Sequence, residues 1–259
     1  MTIFAPTEAH AAPAVHRTGV DLTVRVALLG GFRLLTGNDV VPVSGGSERL
    51  LAFVALHRQA VGRLLVAGTL WSEVSEGRSY ASLRSALARL DRASRTTLQV
   101  TPLSLELARG VAVDLRDARA LAHRLLGPTP PAETDLNAAA IASLSLDLLP
   151  LWYDDWVLLE AEDWRQLRLH ALEALVGGLT VARRFGDATA AAGAAVRADP
   201  LRESAQAALI RVHLAEGNQS EALRAFDRFS RLLQADLGLV PTPQLHELVA
   251  DLLECSALG

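Results

Sequence analysis

Apolar residues recur along this chain at two spacings, and the spacing changes as the chain proceeds. Short runs at 24–29 and 32–35, the Gly37-Asn38-Asp39 turn and a third run at 40–43 read as an antiparallel meander. From Ser44 the period lengthens. Ser44-Gly45-Gly46-Ser47 reads as a helix N-cap, and Leu50, Leu51, Phe53, Val54 and Leu56 share one face of a helix ending near His57. Gly62 precedes a second helix over 63–70, and residues 71–77 form a loop into a third, predicted over 78–95. There Tyr80, Leu83, Leu87 and Leu90 make an inward stripe about 80° wide at 100° per residue. Residues 98–101 and 103–107 alternate as a strand pair, and 111–113 is expected to add a third strand to it. Beyond Asp114 only the helical period persists. A helix over 115–126 is followed by the Pro-rich stretch 127–131 and by helices at 162–185, 187–198, 202–216, 219–236 and 243–254. Gly186 and Gly217 stand 31 residues apart at helix-pair turns, with Ala191 and Ala222 in step, close to the tetratricopeptide period.

Two short helices, a turn and a third helix followed by a strand pair is a winged helix-turn-helix order. The expected fold is mainly α with a small β component: a winged helix-turn-helix domain over 20–113, then an all-α, tetratricopeptide-like domain over 114–259. Residues 1–19 are expected to be a disordered tail without the basic start and apolar run of a leader. The chain's 259 residues and 50% hydrophobic content suffice for two modest cores. No uncharged apolar run reaches the roughly 18 residues a membrane span needs, so a soluble, cytoplasmic protein is expected.

Charge separates the two halves. Residues 20–113 carry 11 Arg against 7 Asp+Glu, whereas 114–259 carry 13 Arg against 21, so the overall −4 conceals a basic first domain and an acidic second one. Five arginines fall within 78–95 against one acid: Arg78, Arg84, Arg89, Arg92 and Arg95 lie opposite the apolar stripe. Between them Ala81, Ser82, Ser85 and Ala88 are small enough for close backbone approach to a DNA groove. Arginines on one helix are also what a merely solvated face looks like; the opposite signs of the two domains favour nucleic acid. The candidate DNA-binding set is Arg78, Ser79, Ser82, Arg84, Ser85, Arg89, Arg92 and Arg95, with Arg84 and Arg89 at base edges and Arg92 and Arg95 on phosphates.

Other chemistry finds little support. Every basic residue is arginine, which removes the P-loop lysine, Schiff bases and lysine general bases. The single cysteine, Cys255, permits no intramolecular disulfide. His246-Glu247 lacks the second histidine of a zinc-protease motif, and the remaining histidines are scattered. Asp154 and Asp155 read as caps that order an aromatic loop. Trp152, Tyr153, Trp156 and Trp164 read as bulky core, with a ligand pocket as the alternative. No catalytic residue, metal ligand or cofactor site is expected.

Several strings, taken in order, resemble the Streptomyces antibiotic regulatory proteins, the AfsR/SARP transcriptional activators. They are Leu29-Gly30-Gly31-Phe32, Glu48-Arg49-Leu50-Leu51-Ala52-Phe53, Gly68-Thr69-Leu70-Trp71 and Leu83-Arg84-Ser85-Ala86-Leu87-Ala88-Arg89-Leu90 in the first half. The second half supplies the string from Leu149 to Val157, then Arg165-Gln166-Leu167-Arg168, Asp199-Pro200-Leu201-Arg202-Glu203 and Ala222-Leu223-Arg224-Ala225-Phe226. The resemblance implies an OmpR-type winged helix joined to a bacterial transcriptional activation domain. It further implies a homodimer on direct repeats of double-stranded DNA near a −35 element, recruiting RNA polymerase through its sigma factor and alpha subunit to secondary-metabolite genes. Glu73 and Glu76, ahead of the third helix, would face the polymerase. Two departures bear on this. The wing has Thr101-Pro102-Leu103 in place of a Gly-Tyr pair, with Arg109 its only basic residue nearby in sequence, and Ala88 stands where relatives carry an aromatic. The alternative function is a protein-interaction scaffold or ligand-sensing regulator whose winged helix does not bind DNA alone.

Overall fold

The computed structural model describes residues 24–257, so the tail expected over 1–19 lies outside the described residues. The meander forms as its alternation predicts: β1 (Val24–Ala27), β2 (Arg33–Thr36) and β3 (Asp39–Val41) pair antiparallel, and Gly37 supplies the positive φ of 59° that the turn requires. Ser44 stands at the N-cap of α1 (Gly45–Leu56), but its hydroxyl meets the Ser47 hydroxyl instead of a helix amide. The short strand β4 (Val61–Gly62) leads into α2 (Arg63–Leu70), whose bounds match the expected ones.

The third helix departs from its predicted length. α3 spans Glu76–Ala88, and the separate turn α4 (Arg92–Arg95) follows instead of a continuation to residue 95. The cause is Asp91, whose carboxylate accepts from Ser94 N at 2.7 Å and starts a new helix, while Leu90 is buried beneath the break. The strands β5 (Leu98–Val100) and β6 (Ser104–Leu107) form the wing hairpin, and their third partner is β4. The strand expected as the third wing member, β7 (Ala112–Val113), instead runs parallel to β1 in the meander sheet, giving the order β3-β2-β1-β7.

From β7 the chain enters α5 (Asp114–Leu125) at an anchoring carboxylate. Asp114 accepts from Leu28 N at 2.8 Å, Leu29 N at 3.2 Å and Leu115 N at 2.7 Å. Burial nevertheless raises its carboxyl above the ordinary aspartate range, opposed by those three amides and by Arg25. Between the ordinary aspartate value and the raised one, the folded chain keeps a proton that the unfolded chain has released. Stability should decline as pH climbs from the ordinary aspartate value through the raised one. Asp114→Asn is expected to flatten that decline in urea midpoints measured against pH. Asp114→Ala is expected to cost about 3 kcal/mol by stranding buried amides.

A 3-10 turn (Glu133–Asp135) and α6 (Ala138–Leu144) precede the long α7 (Asp155–Val181), which starts seven residues earlier than its pattern predicted. α8 (Phe185–Ala198), α9 (Glu203–Glu216) and α10 (Gln219–Leu237) stack on it in sequence, and the last predicted helix divides into α11 (Pro243–Glu247) and α12 (Ala250–Ala257). The repeat register also shifts. Gly186 lies inside α8, and the left-handed residue ending α7 is Arg183, φ 58°. Arg184 N donates to Leu179 O at 2.9 Å, and Asn218 N, just past left-handed Gly217, donates to His213 O at 2.8 Å. Both helices thus end in the same Schellman arrangement, at positions 34 residues apart. At that offset Ala188 aligns with Ala222 and Ala191 with Ala225, all buried, which matches the tetratricopeptide period better than the 31-residue spacing.

The two halves share one continuous core. Leu29 bridges Leu148 antiparallel, Gly30 N donates to Asp147 O at 2.8 Å, and Leu149 N donates to Leu28 O at 2.9 Å. Arg168, 2% exposed, braces that segment by pairing with Asp147. Trp164 is core as expected, its Nε1 donating to Leu146 O at 2.9 Å. Trp152 and Trp156 instead form the seam: Phe32 meets Trp152 at 6.4 Å, and Phe53 meets Trp156 edge-on at 5.2 Å. Asp154 does occupy the N-cap position of α7, but its carboxylate pairs with Arg49 of α1 rather than capping the helix.

Candidate nucleic-acid interface

α3 is held from behind by α1 and α2, so its orientation is set by apolar packing and its outer arc is left open. Leu83, Ala86 and Leu87 are buried, with Tyr80 half-buried beside them. Ser79 belongs with them. It is 3% exposed and donates to Glu76 O at 2.8 Å, so it leaves the candidate DNA-binding set: near the start of α3 its hydroxyl is spent on the helix's own first turn.

Arg78, Arg84, Ser85 and Arg89 are exposed, and Ser82 is half-buried. Arg78, Ser82, Ser85 and Arg89 recur at steps of four, three and four residues and line a shallow groove of about 440 Å³ together with Gly46 of α1. Arg84 projects from the other edge of the open arc, about 120° round the helix from Arg78. The outer face is therefore a strip of small residues, Ala81, Ser85 and Ala88, with guanidinium groups on both flanks. Among the described residues, Arg78, Arg84, Arg89 and Arg92 enter none of the ion pairs that hold the rest of the fold.

Arg92 and Arg95 stand off the α3 axis because of the break at Asp91. Arg95 Nη1 also donates to Leu87 O at 3.3 Å, so this side chain caps the C-terminal end of α3 as well as adding charge. The wing turn is tied by Thr101, whose N donates to Ser104 O at 2.9 Å and whose Oγ1 accepts from Ser104 N at 2.9 Å. Its tip residue Leu103 is 82% exposed. Arg63, which sequence spacing did not associate with the wing, donates from its backbone N to Leu103 O at 2.9 Å and from Nη1 to Thr101 O at 3.3 Å. The signal was the strand at Val61–Gly62, too short to show an alternation. Arg109 is exposed just beyond β6. Glu73 and Glu76 are exposed, Glu73 in the loop between α2 and α3 and Glu76 as the first residue of α3.

Among the described residues no group of three or more His, Cys, Asp or Glu side chains is arranged to hold a metal ion, and no helix is long and apolar enough to cross a membrane.

Residues 131–253 match the bacterial transcriptional activator domain, a regulator family rather than an enzyme class. The chain is 28% identical over 254 residues to the regulatory protein AfsR of Streptomyces griseus, covering 87% of this chain and 24% of that one. To AfsR of Streptomyces coelicolor it is 25% identical over 246 residues, covering 89% and 24%. It therefore spans about a quarter of the length of these relatives. The fold resembles that of Mycobacterium tuberculosis EmbR, solved in complex with a low affinity phosphopeptide, at a TM-score of 0.69 and 23% identity over 90% of this chain and 65% of EmbR. With a winged helix followed by an all-α domain that matches the bacterial transcriptional activator domain over residues 131–253, the chain is similar to the AfsR regulatory proteins and resembles EmbR in fold.

Proposed function

We propose that this chain activates transcription by laying the outer face of α3 in the major groove of double-stranded DNA. The observation that carries the reading is that face itself: arginines flank a strip of small side chains and, among the described residues, enter no ion pair, whereas eight other arginines do. Arg84 and Arg89 read base edges from the two flanks, with Ser82 and Ser85 beside them. Arg78, Arg92 and Arg95 contact phosphate, and Arg63 and Arg109 supply the wing's charge. The acidic helical half, beginning near Asp114, stays off the duplex and presents a surface to RNA polymerase, with Glu73 and Glu76 nearest the DNA-proximal subunits. The family relation supports the finer reading: two copies on direct repeats near a −35 element, contacts with the sigma factor and alpha subunit, and control of a secondary-metabolite cluster from the bacterial nucleoid.

Selection of bound duplexes from a random pool tests this in one step, because it returns a motif, its repeat spacing and the stoichiometry together. If roughly four to six arginines per copy neutralise phosphates, log affinity should fall by nearly that number per tenfold rise in salt. Recovery of no enriched sequence, with no duplex binding at low salt, would replace this reading with that of a protein-interaction scaffold.

A further inference from the structure

We propose that the cleft between the α2–α3 loop and the start of α7 binds a small organic cation. The cleft has a volume of about 550 Å³, within the range of roughly 300–1,000 Å³ that small-molecule sites occupy. Trp71 and Glu73 line it from the loop, and Tyr153, Asp155 and Trp156 line it from the other side.

Charge decides the class of ligand. The lining holds three carboxylates, Glu73, Asp154 and Asp155, against the single guanidinium of Arg49. Arg49 is already neutralised by Asp154. Among the described residues Glu73 and Asp155 take part in no ion pair, and the described partner of Glu73 is the Ser72 hydroxyl at 3.3 Å. An anion entering the cleft would find no free cation and two free carboxylates.

Aromatic surface narrows the class further. Trp71, Tyr153 and Trp156 bring three π-systems to one cleft, and the negative face of an aromatic ring attracts ammonium and guanidinium groups. Trp156 is fixed in place by Phe53 and Trp152 at 5.2 and 6.0 Å. Tyr153 is 78% exposed, a large ring left in solvent at the edge of the site. Aromatic faces beside unpaired carboxylates suit an amine or quaternary ammonium of low mass, bearing an apolar body. One wall belongs to the first half of the chain and the other to the helical half. The wall from Trp71 to Val74 is followed, after Ser75, by α3, so an occupied cleft ties α3 to α7.

The test needs no DNA and stands apart from the function proposed above. Two of the four tryptophans line the cleft, so their fluorescence reports its occupancy. The full chain is titrated with choline and with benzyltrimethylammonium, and as a control with the alcohol in which choline's nitrogen is replaced by carbon, with calorimetry as a second readout. The expected result is saturable binding of at least one cation, with choline preferred at least about tenfold over its uncharged counterpart. Asp155→Asn and Glu73→Gln, both changes at exposed positions, are each expected to weaken cation binding several-fold while the circular dichroism spectrum is unchanged. The proposal is overturned if neither cation binds saturably up to about 10 mM, if choline and its uncharged counterpart bind alike, or if a chain carrying both Asp155→Asn and Glu73→Gln binds both cations as the parent does.

Discussion

Replacing Arg84 and Arg89 together by alanine is expected to weaken binding to a selected duplex by about 100-fold or more. Each bidentate contact to a base edge contributes about 1–3 kcal/mol of discrimination, and about 1.4 kcal/mol is tenfold in affinity. The two side chains flank opposite edges of the open arc of α3, more than a helical turn apart, so their losses should add. Both are exposed, and folding stability should move by less than about 0.5 kcal/mol. Ser79→Ala supplies the internal control. Its hydroxyl is turned into the helix, so affinity should stay within about twofold even though it sits in the same basic stretch. Arg92→Ala should weaken all sequences alike and reduce the salt slope by about one unit. Gel-shift titrations against the selected site and a scrambled one, at two salt concentrations, separate these effects. Equal affinity and selectivity in the double variant and the parent would remove both arginines from the interface.

Much of this geometry was legible in the residues, and the parts that were not share a physical cause. The meander, α1 and α2 could be placed because their apolar spacing is local and their ends carry Gly, Ser or turn residues. The break in the basic helix was also written locally: Asp91 three residues before Ser94 is an N-cap pattern, masked by an apolar stripe that continues through Leu90. Ser79 is not legible in the same way, because its polar sequence context says nothing about a hydroxyl that turns back onto its own helix. The repeat register differs from the glycine spacing because Arg183, not a glycine, holds the left-handed conformation after α7, its guanidinium 5.7 Å from the Phe185 ring. Arg63 and the seam depend on pairings between segments far apart in the chain, two residues long at β4 and a single bridge at Leu29 and Leu148. Such short pairings leave no periodicity to read.

Trp156→Ala is expected to lower stability by about 3 kcal/mol and to divide a single unfolding transition into two. The residue sits where the two halves are least separable. Its ring meets Phe53 of α1 edge-on at 5.2 Å and Trp152 at 6.0 Å, and Trp152 in turn reaches Phe32. Truncating a fully buried tryptophan costs about 3–5 kcal/mol, and partial exposure places this one at the lower end. The polar seam contacts are weaker candidates for the coupling. The Arg49–Asp154 pair is about one-third exposed on each side, where an ion pair contributes about 1 kcal/mol or less. Arg116 adds a charge-assisted tie by donating from Nη2 to Ala55 O at 3.1 Å at the end of α1. If the aromatic contact dominates, Asp154→Asn should leave one calorimetric transition and Trp156→Ala should give two, the lower belonging to the half with the smaller core. A Phe53→Leu, Trp156→Leu cycle should return a coupling of about 1 kcal/mol. Because α1 packs on α3, loosening this seam also frees the angle between the DNA-facing helix and the helical stack. Trp156→Ala should then bind isolated duplex normally yet lose promoter activation in a reconstituted transcription assay. Activation retained with the transitions separated would mean that the stack needs no fixed orientation to act.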